Sequence, residues 1–530
     1  MGWTGGAGLH CVLLAVSVLA SACASGSIGD EASGASRLAA GANRSGTETL
    51  LAPAAGVAYP TAPPVQLCGN PDFLTGPAVP PRGSVRVDPG SNLNDLTLAN
   101  PPGTTFWLAP GTHTLSATEF GQVVPKDANV YVGGPGAVLD GQKINRYAFT
   151  QRAANVSIRY LTIQNFVTPR DEGTVNHDSG SGWTIEHNTI QSNGGAGLFL
   201  GDDNVARYNC LQSNGQYGLQ GYKSGGVRNI TLDHNEIAGN NTDDWEAKVP
   251  GCGCTGGAKF WAVNGAAVTN NWVHHNKGTG LWADTNNQGF RFEGNYINDN
   301  DAHGIFYEIS YNALIRNNTF VRNALVKGEA FASRASSFPV GAIYVSESGG
   351  HPDVYGGVYS TFEITGNYFK DNWSGVVLWE NADRFCGSPA NTSSRYCTEG
   401  GLATLETCVE GTINHEPYYS GCRWKTQNVL VTDNDFHLDR SAIGCSTTTR
   451  SCGVQAVFSN WGTYPDWSPY KGPKIQEAIT FHQNNRFRNN RYAGEWRFTP
   501  FSTAHLLTLS AWQSPPYDQD VGSTLRSRRR

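Results

Sequence analysis

One short phrase constrains this chain more than anything else in it: an asparagine, any residue, an apolar residue, two more residues and a second asparagine. It recurs as NTIQSN at 188, NCLQSN at 209, NEIAGN at 235, NWVHHN at 271, NYINDN at 295, NTFVRN at 318, NYFKDN at 367 and NRFRNN at 485. The tightest intervals, 21, 24 and 23 residues, are too short for a pair of helices and suit one turn of a β-strand solenoid. A chain written this way is expected to wind, one coil per copy.

A second phrase keeps step with the first: GLFLGDD at 197, GLQGYKS at 218, GAKFWAV at 257, GLWADTN at 280, GIFYEIS at 304, GAIYVSE at 341 and GVVLWEN at 375. Apolar or small residues hold the first and third places after the glycine, the period of two that separates an inner from an outer face. Stacked coils then make a long parallel sheet. The asparagines are expected to form side-chain ladders at ~4.7 Å spacing that satisfy the turn backbone, and not to act as ligands.

The first 23 residues read as a targeting segment, because CVLLAVSVLASAC supplies a short apolar run followed by small residues. ASAC ending at Cys23 resembles a bacterial lipoprotein signal, which implies a lipid anchor at that cysteine; simple secretion is the alternative. Residues 24–65, rich in Ala, Gly, Ser and Pro, read as a flexible linker, 66–500 as the solenoid and 501–530 as a C-terminal tail. Of 12 cysteines, ten lie beyond Cys23, an even set that suggests disulfides in an exported chain. Six of them fall in or beside a non-repeating insertion at about 381–427, and Cys445 with Cys452 is the expected small loop; a metal or redox role for the CGC at 252–254 is the rival. A net charge of −6 and the lack of a basic patch argue against nucleic acid as a partner.

With FWLAPGTHTL at 106, GAVLDGQ at 136 and NVSIRYLTIQNF at 155 as first coils and the asparagine phrases as its body, the chain resembles the right-handed parallel β-helix (pectin-lyase-like) superfamily. That resemblance implies an all-β solenoid and a polysaccharide as substrate, and leaves the reaction open. Gly201, Asp202 and Asp203 match the GDD of one hydrolase branch, but the NTD, GHG and RxK that accompany it are missing. The surroundings of Lys259, Asp284 and Glu308 are loosely similar to a lyase branch with a lysine base and calcium ligands on neighbouring coils.

Aligned on their glycines, the strands give one outward column of Gly201, Tyr222, Trp261, Asp284 and Glu308 and another of Phe199, Gln220, Lys259, Trp282 and Phe306. Aromatics on an outer face predict either a groove that stacks sugar rings or an outer layer covered by loops. Asp284 and Glu308 are expected on adjacent coils, roughly 5 Å apart, where two carboxylates need a shared proton or a cation. The first arrangement is the carboxylate pair of a retaining glycosidase. The second is a calcium site, to which Asn286, Asn287 and Asn312 would add oxygens.

Taken together, these residues point to an exported polysaccharide-active protein, with β-elimination on an acidic glycan the first reading. In it Lys259 is the base, or else a plain salt-bridge partner; Asp284 and Glu308 hold calcium, and Tyr222, Trp261, Trp282 and Phe306 bind sugar rings. Asp202, Trp379, Glu380 and His177 complete the candidate binding set, and His303 is read as a turn residue. A glycosidase and a non-catalytic glycan-binding protein are the alternatives. The protein is expected to be monomeric and extracytoplasmic, touching a membrane only through Cys23.

Overall fold

A computed structural model describes residues 59–150, 152–352, 361–390, 397–398 and 403–526. The targeting segment with Cys23 and most of the linker lie outside the described residues. Short strands stack in parallel into three sheets, visited in turn on every full coil. Sheet 1 runs over 13 described strands from Val85–Val87 to Arg486–Arg488, and sheet 2 over 13 from Gly111–Thr114 to Thr524–Arg526. Sheet 3 has 10, from Gly173–Val175 to Arg497–Thr499. The fold is a right-handed parallel β-helix, the hand that parallel crossovers take.

The asparagine phrase forms the corners. In the copies from 188 to 367 the first asparagine sits between sheets 1 and 2, whereas in NRFRNN it is the second, Asn490, Asn485 lying before the sheet 1 strand. With Asn434 added, the Nδ2 of each corner asparagine donates to the Oδ1 of the next at 2.9–3.1 Å along Asn188, Asn209, Asn235, Asn271, Asn295, Asn318, Asn367, Asn434 and Asn490. A second ladder runs through Asn193, Asn214, Asn240, Asn276, Asn300, Asn323 and Asn372. The residue just before a ladder asparagine is left-handed, as at His187, Tyr208, His234 and Asn270, a conformation that side chains with a Cβ resist. The ladder compensates by bonding the backbone of the coil before, Asn209 Nδ2 donating to Ile185 O at 2.8 Å. It also explains the glycine that opens the second phrase, because a Cβ on Gly218 would lie 2.9 Å from Asn240 Nδ2. Between the corners, Ile163, Ile190, Leu211, Ile237, Val273 and Ile297 stack inside sheet 2 as one continuous core.

Two segments differ from the expectation. Residues 59–68, the end of the predicted linker and the start of the solenoid segment, form a strap across sheet 2. Tyr59 stacks on Tyr368 and donates to Asp435 at 3.1 Å, while the Leu67 and Cys68 amides donate to Glu236 at 2.6 and 2.8 Å. The disulfide Cys68–Cys210 pins it. The predicted C-terminal tail instead caps the solenoid: Trp512 is fully buried, and Thr524–Arg526 adds a strand beside Arg491–Gly494. An apolar end of a solenoid needs such a lid.

The other disulfides join Cys252 to Cys254, Cys386 to Cys397, Cys408 to Cys422 and Cys445 to Cys452. The CGC pair is therefore a disulfide and not a metal ligand set. Around Cys386, Cys408 and Cys422 the insertion builds a small core of its own with Phe385, Ile413 and Tyr470.

Candidate functional site

The strand register aligns the outer residues of sheet 3 as their spacing predicts. Phe199, Gln220, Lys259, Trp282, Phe306 and Tyr344 are successive partners in one column, and Trp261, Asp284, Glu308, Ser346, Trp379 and Phe458 in the next. Lys259 follows Gln220 by one coil, so residues 241–256 are an insertion within that coil. None of these outer side chains belongs to the central core, which takes the intervening Ala258, Phe260, Leu281, Ala283, Ile305 and Tyr307.

An open aromatic groove is not what covers this face. Trp282 and Phe306 are buried, stacked at 5.0 Å, and packed with Tyr344 and Phe338 into an outer layer under the loops. Tyr222, Trp261 and Trp379 stay half-buried and form its rim. The physical reason is the length of the insertions: segments 241–256 and 324–339 and the described parts of 381–427 fold back over the strands they leave.

Beneath this cover lies a row of buried charges. Lys259 is 6% exposed, and its Nζ lies 2.9 Å from Asp284 Oδ2, over the Trp282 ring at 4.0 Å and donating to Gly253 O. Asp284 and Glu308, register partners on adjacent strands, are each 2% exposed. Glu308 accepts from Arg384 at 2.7 Å and from Trp282 Nε1 at 3.2 Å, and Arg384 also donates to Glu347 at 2.9 Å. Further along, Glu380 is gripped by Arg423, by Gln483 Nε2 at 2.7 Å and by the Thr426 amide at 3.1 Å. Arg384 and Arg423 both come from the cysteine-rich insertion, so the cover supplies the cations for the acids below it.

Burial works against the Lys259 ammonium, but Asp284 beside it outweighs that penalty and holds the amine well above the ordinary lysine range. The base expected at Lys259 is therefore a charged partner. Asp284 Oδ1 accepts from Thr285, whereas Oδ2, though within ion-pair reach of Lys259, receives no aligned hydrogen bond. Burial lowers Arg423 to about 10, against the pull of Tyr470 and Tyr311.

Calcium does not fit this arrangement. Lys259 and Arg384 already neutralise the two carboxylates, Asn287 Oδ1 accepts from the Val263 amide at 3.0 Å and Asn312 Oδ1 from the His351 amide at 2.8 Å. Asn286 Oδ1 alone of the three is buried without a partner, and among the described residues no three His, Cys, Asp or Glu side chains converge.

The remaining candidates fall outside the row. Asp202 pairs with Lys223 at 2.5 Å at a corner. Val175 pairs with Leu198 in the core, so Asn176, which donates to Asn204 Oδ1 at 3.0 Å, takes the register position opposite Phe199, and His177 lies one place beyond that column, stacked on Tyr147 at 4.0 Å. Glu380 is not an open groove residue, being buried against Arg423. His303 is buried with Nδ1 2.8 Å from Gly341 O, and burial lowers its pKa to about 3. Arg384 and Arg423 were missed in the sequence because no repeat ties them to the row, and Glu347, the last residue of GAIYVSE, because it stands one place past Ser346 of the outer column, where the backbone turns left-handed.

Residues 173–358 match the family described as right handed beta helix region. No curated protein sequence matches the chain. Among solved structures, the β-helix is similar to the catalytic unit of a thermostable GH87 α-1,3-glucanase from Streptomyces thermodiastaticus, at 15% identity and a TM-score of 0.46 over 85% of this chain and 69% of that one. It is similar to a mutant of the periplasmic alginate epimerase AlgG, at 12% identity and 0.36 over 67% and 78%. A mannuronan C-5 epimerase module, AlgE4, from Azotobacter vinelandii matches at 13% identity and 0.32 over 64% and 88%.

Proposed function

We propose that this β-helix is an exported glycan-active enzyme that hydrolyses a neutral polysaccharide, with Asp284 and Glu308 as its carboxylate pair. The observation that carries the reading is their placement as register partners, both buried, each with a cation from a different source. Buried ion pairs are poor stabilisers and are costly to assemble, so such a row on an outer face calls for a function.

The sign of the row favours a neutral chain. Lys259 and Arg384 supply two positive charges against the three negative charges of Asp284, Glu308 and Glu347. An acidic glycan would add charge of the sign already in excess, so β-elimination, the first reading of the sequence, loses ground.

The two carboxylates then separate by environment, as acid and nucleophile must. Lys259 is anchored on the same sheet as Asp284 and stays beside it, which suits Asp284 to the part of nucleophile. Arg384 is carried by the insertion; when a sugar displaces it, Glu308 sits between Asp284 and Glu347 without its cation, and a proton restores the balance. That proton is what the leaving oxygen requires. Their position as register partners, with backbones about 4.8 Å apart, supports a close pair of the retaining kind. Access requires the Gly253 loop and Arg384 to withdraw, a closure of the kind that excludes water from the reaction. The disulfides support an extracytoplasmic setting. Among the described residues no helix is long and apolar enough to cross a membrane.

Asp284→Asn and Glu308→Gln test the roles. Both should lose turnover on a soluble neutral glycan; with an activated aryl glycoside, azide should give Asp284→Asn a glycosyl azide of inverted configuration and Glu308→Gln one of retained configuration, because it attacks the substrate in the first and the glycosyl-enzyme in the second. Full activity in either variant removes the pair from the chemistry.

A further inference from the structure

Beyond the end of its sheet 3 strand, Val454–Ser459, the chain keeps pairing with its neighbour coil. Phe458 lies beside Trp379 and Ser459 beside Glu380; Asn460 Oδ1 then accepts from the Ala382 amide at 2.7 Å, and the Thr463 and Tyr464 amides donate to Asp383 at 2.9 and 3.2 Å. Residues 458–464 therefore run alongside 379–384 and end next to Arg384, the residue that holds Glu308.

On this stretch the chain presents two open rings. Trp461 is 58% exposed and Tyr464 49%, while Phe385 and Tyr470, packed together in the small core of the insertion, are buried. Trp461 is also fixed in place, its Nε1 donating to Gln476 Oε1 at 3.1 Å. An indole immobilised by its own edge, with its face left to water, has already lost the freedom that binding would cost it. Among the described residues Phe120 is as open but faces Arg146, and Phe73 is less so and stacks on Tyr208.

We infer that Trp461 and Tyr464 form a stacking platform for pyranose rings of the polysaccharide, an outer subsite of the Asp284–Glu308 centre; this rests on the glycan reading proposed above. Phe458 is three coils from Glu308 in the same column, about 14 Å. The platform therefore reaches sugars several units from the bond that is cut. It grips a polymer, and a disaccharide-sized substrate leaves it empty.

Native electrophoresis of the full mature chain through gels containing glucan, mannan or xylan tests this. Wild type, Asp284→Asn and the control Phe120→Ala should be retarded alike by one of them. Trp461→Ala and Tyr464→Ala should each bind it roughly 3- to 10-fold more weakly, the worth of one aromatic stacking contact, with Trp461→Phe recovering part of the loss. In turnover the same variants should raise KM on the polymer and leave kcat and short-substrate rates unchanged. Retardation of both alanine variants equal to wild type overturns the platform, as does a wild type that no gel retards. Weakened Trp461→Ala together with a fully active Asp284→Asn keeps the platform and discards the catalytic pair, so the two claims fail separately.

Discussion

Lys259 and Asp284 meet diagonally across adjacent strands with Nζ 2.9 Å from Oδ2, both almost wholly buried. Removing one partner strands the other charge in a dry layer. Lys259→Met is expected to cost about 3–5 kcal/mol, and Lys259→Met with Asp284→Leu much less, because the double change leaves no buried charge. Urea unfolding of the single and double variants measures this; equal losses would mean that the pair is solvated.

Arg384 holds Glu308 and Glu347 together and, with Arg423, fastens the cysteine-rich insertion to the row. Arg384→Met should loosen that cover before it unfolds the solenoid. Limited proteolysis should cut the variant within 381–427 at least several-fold faster than wild type, with the β-helix body left intact; unchanged cleavage would show that the arginines do not hold the insertion.

The ladder asparagines are load carriers of the backbone. Asn295 donates to Val268 O and Asn318 and accepts from Asn271, so Asn295→Ala leaves several buried groups unpaired. A loss on the order of 3 kcal/mol is expected from that, read as a lower urea midpoint with circular dichroism still of β type.

His303 gives a pH test with a definite sign. Burial depresses its folded pKa to about 3, below the ordinary histidine value near 6.5, so the unfolded chain takes the proton first. Its contribution is whole above about pH 6.5 and is lost as pH falls towards 3. Urea midpoints at pH 7 and pH 4.5 should differ less in His303→Gln than in wild type.

Much of this architecture was legible because it repeats. The glycine-anchored spacing put Asp284 opposite Glu308 and Trp282 opposite Phe306, and the strand register agrees. Burial of that face was not legible, since an outer residue of a strand has the same spacing whether water or a loop covers it. Arg384 and Arg423 lie in a stretch without periodicity, and only the folded insertion brings them to Glu308 and Glu380. The role of Lys259 turned on the same point: position alone allowed a base, and the enclosed contact with Asp284 makes it a cation.

The most direct test of the account is the mass of the products released from neutral and acidic polysaccharides by the mature chain, with and without a calcium chelator. The account predicts oligosaccharides carrying one added water, from a neutral glycan, at a rate the chelator leaves unchanged. Products lighter by one water, or release only from an acidic glycan and only with calcium, would contradict it.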